Sequence, residues 1–325
     1  MMGPTTKNIM KTYLLILLLL VPLTSHCFAA SFDEIVIFGD SLSDNGNLVF
    51  IEDQPKPDQE LYYQGRFSNG LVWVEYLADA GHLNVSLTDR ALGGAQSDGF
   101  VPPGVIQQVI TYVTTNDAPS PNTLFIIWIG GNDYLNGDED FQTVVSNIND
   151  AMDRLVQFGA LNLLVLNLPD LGAIPATLGS PEAPEATAFS NDFNTGLADM
   201  LDRFKAEHPE IQVFEFDVFS FAMTVRNDPA AYGFVNATEP SPNFEVPNNF
   251  DGAGYVFWDE RHPTTGMHSL IADQVFTLLN EQARPPAMNG GIQENEGGGS
   301  TCFIDASTWR IPRVNKGITS KKATE

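Results

Sequence analysis

Short apolar runs alternate along the chain with longer segments in which apolar residues recur at helical spacing. The apolar runs lie at 34–39, 123–130, 161–168 and 211–217. Because they are apolar along nearly their whole length, they are typical of strands buried on both faces of a sheet. Helical periodicity is found at 68–80, 141–158, 187–207 and 265–282. This alternation predicts a mostly parallel sheet with helices packed on both of its faces.

A polar segment follows directly on the first predicted strand. Residues 35–47 read IVIFGDSLSDNGN, so the apolar run passes through Gly39 and Asp40 to Ser41. In parallel α/β sheets, functional residues collect at the carboxyl ends of strands. Ser41 is therefore part of a turn, a candidate nucleophile, or both. The polar residues after it are expected to hold the loop: Asp44, Asn45 and Asn47.

A serine hydroxyl is a weak nucleophile unless a base accepts its proton. In VFWDERHPTTGMHSLIADQ, residues 256–274, Asp259 stands three residues before His262. This spacing allows one tight turn to orient both side chains. Alone, the pattern favours a helix-capping aspartate and a surface histidine, but Ser41 at a strand end makes a Ser-His-Asp arrangement the better interpretation. The other histidines are expected to be removed with a leader, solvated or packed: His26, His82, His208 and His268.

Acyl transfer also requires hydrogen-bond donors for the developing oxyanion. Asn132 follows a buried strand in FIIWIGGNDYLNG, beside two glycines that permit close approach. The segment ALGGAQSDG, residues 91–99, offers the backbone amides of Gly93 and Gly94 in a second tight turn. Both segments are also typical of ordinary turns, so the residues alone leave the two interpretations open.

Four segments of the chain, in their order and spacing, resemble the sequence blocks of the GDSL esterase/lipase family, whose members are also called SGNH hydrolases. The segments are FGDSLSDNGN, LGGA, IGGND and FWDERHPT, and the resemblance extends from about residue 33 to residue 282. GRFSNGLVWVEYLA, residues 65–78, is similar to a stretch that follows the first block in larger secreted members. The resemblance implies a flavodoxin-like three-layer α/β/α sandwich and hydrolysis of carboxylic esters without a cofactor or a metal.

The same resemblance implies roles for individual residues. Ser41 corresponds to the nucleophile, His262 to the base and Asp259 to the acid of a catalytic triad. The oxyanion hole would consist of the backbone amides of Ser41 and Gly94 and the side chain of Asn132. Loss of one such donor typically costs about 2.7–4 kcal/mol of transition-state stabilisation.

Three other features of the sequence have competing interpretations. Ser97 lies in a weak match to the nucleophile pattern G-x-S-x-G, but no buried strand leads into it, and we expect it to belong to the glycine turn. The acidic segments 136–140 and 248–252 do not fit an EF-hand loop, so we expect solvated loops and no metal. Four aromatic residues near Ser41 either line an acyl pocket or pack beneath the loop: Phe50, Tyr62, Tyr63 and Phe67.

The ends of the chain differ in character from its middle. Lys7 and Lys11 precede the apolar run YLLILLLLVPLT, and the small residues of SHCFAA suggest cleavage of a signal peptide near Ala29 or Ala30. Cys302 would then be the only cysteine of the mature chain, so we expect no intrachain disulfide. These features predict a secreted or periplasmic protein with no stable membrane span after cleavage.

The composition predicts four segments. They are a signal peptide at 1–30, a hydrolase domain at 31–282, a flexible linker at 283–300 and a short tail at 301–325. In the tail, GGGSTCFIDAS is weakly similar to glycine-then-CFI ends of some exported bacterial proteins. This similarity would make Cys302 a processing or attachment site, but a disordered end with one exposed thiol is the favoured interpretation.

The charge balance narrows the choice of partners. The chain has 16 Lys and Arg against 41 Asp and Glu, a net charge of −25, so nucleic acid and anionic lipid surfaces are poor electrostatic partners. We expect a lipid or small-molecule acyl ester as substrate, lipid or lysophospholipid esters first. A carbohydrate deacetylase, an acyltransferase on the same site and a non-catalytic surface-binding protein are the alternatives. The sequence indicates no oligomeric state.

Overall fold

The computed structural model of the chain describes residues 32–52, 54–137 and 140–282. All of these residues fall within one structural unit. The predicted signal peptide, linker and tail lie outside the described residues, together with the predicted cleavage site and Cys302. The predicted bounds of the four segments therefore stay predictions.

A central sheet of five parallel strands has the order β2-β1-β3-β4-β5. The strands are β1 (Glu34–Gly39), β2 (Ser86–Asp89), β3 (Thr123–Trp128), β4 (Asn162–Leu166) and β5 (Gln212–Phe216). Successive side chains of a strand point to opposite faces. In β1, Val36 and Phe38 enter the core on one face, whereas Ile35 and Ile37 enter the core on the other. Burial on both faces explains why β1, β3 and β4 are nearly continuous apolar runs.

Helices cover both faces of this sheet. They are α1 (Trp73–Ala78), α2 (Val105–Thr115), α3 (Gly131–Leu135), α4 (Phe141–Phe158), α5 (Ala183–Glu207), α6 (Val218–Asn227) and α7 (Thr265–Gln282). Buried residues of α2, α4 and α5 form the core on one face, and those of α1, α6 and α7 form the core on the other. The predicted three-layer α/β/α sandwich with a mostly parallel sheet is thus confirmed.

Helix α4 shows how the local sequence produces these elements. Its buried side chains include Val144, Ile148 and Leu155, which recur at helical spacing and form one apolar stripe. The Asp140 carboxylate accepts hydrogen bonds from two backbone amides of the first turn, and Gly159 ends the helix in the left-handed conformation, with φ 111°. The apolar stripe accounts for the prediction of a helix at 141–158, and the capping residues explain where the helix begins and ends.

Several elements differ from the prediction. Strand β3 ends at Trp128 rather than at Gly130, whose φ of 120° leaves the extended conformation. Of the helix predicted at 68–80, only α1 is helical. Edge strand β2, helices α2 and α6, and a separate two-stranded parallel sheet were not predicted. That sheet consists of β6 (Asn236–Pro240) and β7 (Tyr255–Phe257).

The topology brings distant segments to one edge of the central sheet. Strands β1 and β3 are neighbours, and Gly39 is paired with Trp128 at their carboxyl ends. The loops that carry Ser41 and Asn132 therefore begin side by side. Strand β7 leads into the turn that contains His262. Among the described residues, every helix is too short or too polar to traverse a bilayer.

Candidate active site

Ser41 lies in a tight turn directly after β1 and is 7% exposed. The backbone amides of Ser43 and Asp44 both donate hydrogen bonds to the carbonyl of Asp40, which closes the turn. Gly39 is required here because a Cβ atom would lie 2.6 Å from the carbonyl oxygen of Trp128 on the neighbouring strand. The strand thus delivers Ser41 to the edge of the sheet in a fixed backbone conformation.

The side chain of Gln108, in α2, supports this turn through hydrogen bonds. Its side-chain oxygen accepts a hydrogen bond from the Gly39 amide (3.0 Å), and its amide nitrogen donates to the carbonyls of Gly39 (2.9 Å) and Pro103 (3.0 Å). Gln108 is buried, and it satisfies backbone groups at the point where the strand leaves the sheet. No sequence pattern predicts this contact, because α2 itself was not predicted.

Asp44 holds the loop that follows Ser41. Its buried carboxylate accepts hydrogen bonds from four backbone amides, those of Gly46, Asn47, Leu48 and Gly93. Burial raises the pKa of Asp44, while these four hydrogen bonds oppose that rise. The bond from Gly93 connects the loop to the glycine turn at 91–99. Asp44 is therefore the loop-holding residue that the sequence predicts.

The turn after β7 aligns Asp259 and His262. Oδ1 of Asp259 accepts hydrogen bonds from the backbone amides of Arg261 (2.7 Å) and His262 (2.6 Å). The backbone amide of Trp258 donates to the carbonyl of His262 at 2.8 Å. These contacts close one tight turn that places the carboxylate and the imidazole side by side, as the three-residue spacing predicts.

A continuous chain of hydrogen bonds joins three of the predicted site residues. His262 Nδ1 lies 2.7 Å from Asp259 Oδ2, and His262 Nε2 lies 2.8 Å from Ser41 Oγ. A carboxylate accepts hydrogen bonds but donates none, so the Nδ1–H of His262 donates to Asp259. Nε2 then carries the lone pair that accepts the Ser41 hydroxyl proton. The fold thus brings together residues that are 221 positions apart in the chain.

Asp259 is kept in its charged form. Burial alone would raise its pKa, but the charge and hydrogen bond of His262, the hydroxyl of Tyr62 and the amide of Arg261 hold the pKa below its ordinary value. Tyr62 donates its hydroxyl proton to Asp259 Oδ2 over 2.5 Å. No feature of the sequence signals this contact between residues 197 positions apart.

The predicted oxyanion donors face the same cavity as Ser41 and His262. Gly94 and Asn132 both line it, and Gly94 has a φ of 78°, in the left-handed region that favours glycine. One hydrogen of the Asn132 side-chain amide is donated to the carbonyl of Ala95 at 3.0 Å, which fixes the orientation of the side chain. The second hydrogen of this amide can be offered to a ligand.

Ser97, the serine in the weak match to G-x-S-x-G, has different partners. Its hydroxyl donates to Asp133 Oδ1 at 2.6 Å and accepts a hydrogen bond from the Asn147 amide at 2.9 Å. Its backbone amide also donates to Asp133. Ser97 is almost fully buried and lies in the glycine turn, in agreement with its predicted structural role.

The three other histidines among the described residues lie outside this hydrogen-bond chain. His82 Nε2 lies 2.8 Å from Asp273 Oδ1, and His208 lies near Asp153 on the opposite helical layer. His268 is completely buried, and its burial lowers its pKa to about 3, so its ring is uncharged at neutral pH.

The four aromatic residues predicted either to line an acyl pocket or to pack beneath the loop have different surroundings. Phe67 lines the cavity, and its ring centre is 5.1 Å from that of His262. Tyr62 binds Asp259, and Tyr63 packs against Phe250 with ring centres 5.7 Å apart. Phe50 is 84% exposed, which agrees with neither interpretation.

The cavity beside Ser41 has a volume of about 450 Å³, within the range of about 300–1,000 Å³ that is usual for small-molecule sites. Most of its lining is apolar. Part of this lining extends away from Ser41 to the layer formed by α6, α7, β6 and β7. The apolar residues there are Val218, Ala222, Met223, Ala237, Val256, Met267 and Ile271.

Comparison with known proteins places this chain in a family. The model of the GDSL-like lipase/acylhydrolase family matches residues 35–275. The thermolabile hemolysin of Vibrio parahaemolyticus is 31% identical over 275 residues, which cover 77% of this chain and 65% of that protein. The phosphatidylcholine-sterol acyltransferase of Aeromonas hydrophila is 29% identical over 333 residues, which cover 84% of this chain and 98% of that protein.

The chain is also similar in sequence to an effector protein and aligns with a solved esterase structure. The secreted effector protein SseJ of Salmonella typhimurium is 28% identical, over 74% of this chain and 62% of that protein. The chain thus spans a little under two thirds of the hemolysin and of SseJ. Among solved structures, an acetylxylan esterase of Geobacillus stearothermophilus aligns with a TM-score of 0.47 and 10% identity, over 77% of this chain and 95% of that one. Because the family model covers most of its length, the chain belongs to the GDSL-like lipase/acylhydrolase family, a family of carboxylic ester hydrolases.

Proposed function

We propose that this chain hydrolyses carboxylic esters through an acyl-enzyme formed on Ser41, with His262 as general base and Asp259 as the residue that orients it. The observation that carries the proposal is the hydrogen-bond chain of 2.8 Å and 2.7 Å that joins the three residues at the wall of an apolar cavity. Nucleophile, base and orienting carboxylate in this geometry are the arrangement that acyl transfer requires.

The proposed reaction has two halves. His262 Nε2 accepts the hydroxyl proton as Ser41 Oγ bonds to the acyl carbon, and a tetrahedral intermediate forms. This intermediate collapses as His262 gives the proton to the leaving alcohol, which breaks the ester bond. Water then attacks the acyl carbon of the acyl-enzyme while His262 Nε2 accepts a proton from the water. His262 gives this proton to Ser41 Oγ as the bond between Ser41 and the acyl group breaks, so that the acid is released and Ser41 is restored.

The oxyanion of each intermediate would be bound by three donors, the backbone amides of Ser41 and Gly94 and the side chain of Asn132. Gly94 and Asn132 support this role because they line the cavity that Ser41 faces. The bond from Asn132 to the carbonyl of Ala95 holds the amide in place before the substrate arrives. Donors that are fixed in advance stabilise developing charge without reorganising during the reaction.

The apolar cavity favours lipid-type acyl esters over small acetyl esters. An acetyl group would leave most of a cavity of about 450 Å³ unfilled, whereas an acyl chain would bury its methylenes against the apolar lining. The name of one relative, a phosphatidylcholine-sterol acyltransferase, agrees with a lipid substrate. The net charge of −25 favours neutral or zwitterionic lipids over anionic ones.

Acyl transfer to an alcohol is the second candidate activity. It is favoured by the acyltransferase of Aeromonas hydrophila, because the alignment covers 98% of that protein. The first half of the reaction is common to both activities, and only the acceptor of the acyl group differs. We further propose that the chain is exported through its N-terminal 30 residues, as the signal-peptide pattern predicts.

Labelling with a fluorophosphonate tests the proposed nucleophile directly. Ser41→Ala should abolish both the labelling and the hydrolysis of a chromogenic ester. Ser97→Ala is the matched control, since Ser97 is also flanked by glycine turns but donates its hydroxyl proton to Asp133. It should keep its labelling. Turnover that persists in folded Ser41→Ala protein would refute the assignment.

A further inference from the structure

The hydroxyl of Tyr62 is directly connected to the proposed triad. It donates to Asp259 Oδ2 over 2.5 Å, and the same oxygen accepts the hydrogen bond of His262 Nδ1 at 2.7 Å. Tyr62 lies in the loop before the 3₁₀ turn Tyr63–Gly65, which belongs to none of the four sequence blocks. The loop thus contributes a hydrogen-bond donor to the carboxylate of Asp259, 197 positions away in the sequence.

With this bond, the carboxylate of Asp259 is saturated with donors. Oδ1 accepts from the backbone amides of Arg261 and His262, and Oδ2 accepts from Tyr62 and from the His262 ring. An ionised carboxylate offers about four lone-pair sites. Asp259 is 6% exposed, so water cannot readily replace a donor that is lost.

The ring of Tyr62 is held in a defined position. Its centre lies 5.5 Å from that of Phe67 and 5.4 Å from that of Phe244. It also lies 6.5 Å from the His262 ring, at an interplanar angle of 89°. The hydroxyl is therefore aimed at Asp259 by packing rather than by a free side-chain rotation. Burial and the neighbouring Asp259 charge raise the pKa of Tyr62, so the phenol stays a donor.

We infer that Tyr62 is a positioning residue that sets how strongly Asp259 attracts the proton of His262, an inference that rests on the proposed triad. Two donors share the negative charge on Oδ2. If the phenol is removed, that charge acts on the His262 ring alone, and protonated imidazole becomes more favourable. The hydroxyl thus competes with the imidazole for the negative charge on Oδ2.

The substitution Tyr62→Phe alters none of the other titratable and charged groups near the imidazole. They come from every element packed on it: Asp40 from the turn after β1, His268 from α7, and Asp259 and Arg261 from its own turn. A shift seen when only the phenol hydroxyl is removed therefore reports on that hydroxyl.

The test is the dependence of kcat/KM on pH for Tyr62→Phe. We expect the acid limb to move to higher pH by about 0.5 to 1 unit, since one donor to a buried carboxylate is lost. The plateau should fall about threefold to tenfold, far less than the roughly 10⁴-fold loss that follows when the orienting acid is neutralised. Tyr63→Phe is the matched control, because the Tyr63 ring packs on Phe250 and contacts none of the three triad residues. Its profile should equal that of the parent.

An acid limb that is unchanged in folded Tyr62→Phe protein would overturn the inference, even if stability falls. A tyrosine fluorinated on its ring, inserted at position 62, tests the same point with packing preserved. Its phenol is a stronger donor, so the acid limb should move to lower pH, and no movement would count against the inference. Fluorophosphonate labelling of the parent separates the two proposals, because a parent that is not labelled at Ser41 refutes the triad itself.

Discussion

Gln108 offers the sharpest test of how the fold supports Ser41. Replacing it with alanine removes three hydrogen bonds, one from the Gly39 amide and two to the carbonyls of Gly39 and Pro103. The Gly39 carbonyl keeps a second donor, the backbone amide of Leu92 at 3.1 Å. The Gly39 amide loses the side-chain acceptor that Gln108 supplies.

The expected loss follows from these contacts. A buried amide without a partner costs about 1–3 kcal/mol. The loss of each of the two hydrogen bonds to the carbonyls of Gly39 and Pro103, which can accept from other donors, costs about 0.5–1.5 kcal/mol. We therefore expect Gln108→Ala to lower the free energy of unfolding by about 2–6 kcal/mol. Because Gly39 is two residues before Ser41, kcat should fall in the protein that remains folded, whereas KM should change little.

Urea denaturation at constant pH measures this free energy, and ester hydrolysis measures the effect on the site. Gln107→Ala is the control, since Gln107 is the preceding residue of α2 and its side chain is only half-buried. It should cost less than about 0.5 kcal/mol, as surface substitutions usually do. A loss of the same small size in Gln108→Ala would refute the view that this side chain holds the end of β1.

Two further predictions concern the cavity and the carboxylate next to Ser41. Ala222→Trp on α6 should lower kcat/KM for palmitoyl esters about tenfold or more and leave butyryl esters within about twofold, because Ala222 lines the cavity. Thr224→Trp, at an exposed position of the same helix, should leave the ratio unchanged, and equal effects in both variants would exclude a chain-binding role. Burial raises the pKa of Asp40 to about 7, so the folded protein keeps a proton that the unfolded chain releases, and stability should fall as pH rises from about 4 to 7. Asp40→Asn should reduce this fall by at least about 1 kcal/mol between pH 5 and pH 8 in urea denaturation, and a parallel fall in both proteins would contradict the assignment.

The fold could be predicted where burial imposes a strong pattern. Strands β1, β3 and β4 are apolar because helices cover both of their faces. Strand β2 reads SLTD, is half-exposed at the edge of the sheet, and lacks that pattern. Helix α2 reads VIQQVITYVTT, whose β-branched residues have no strong helical preference, so its packing rather than its composition makes it helical. The pair β6 and β7 is too short for periodicity to be visible.

The residues of the candidate site also differ in whether a local sequence pattern can predict them. Ser41, Gly94, Asn132, Asp259 and His262 belong to short segments whose residues are adjacent in sequence, and the structure places all five at one cavity or in direct contact with its lining. The bonds from Gln108 to Gly39 and from Tyr62 to Asp259 connect positions 69 and 197 residues apart. Such pairs depend on the path of loops and on the docking of a helix. No local pattern of one sequence contains that information.

Two carboxylates near Ser41 show why distance along the chain is a poor guide to function. Asp40 is the neighbour of Ser41 in sequence, but its side chain receives one backbone hydrogen bond, from Leu42, and its burial favours the protonated form. Asp259 lies far away in sequence, yet it receives four donors and stays ionised. Only an ionised carboxylate can stabilise an imidazolium, so in the proposed mechanism the supporting role goes to Asp259. The number of donors that the fold aims at each carboxylate, and not its proximity to Ser41, separates the two.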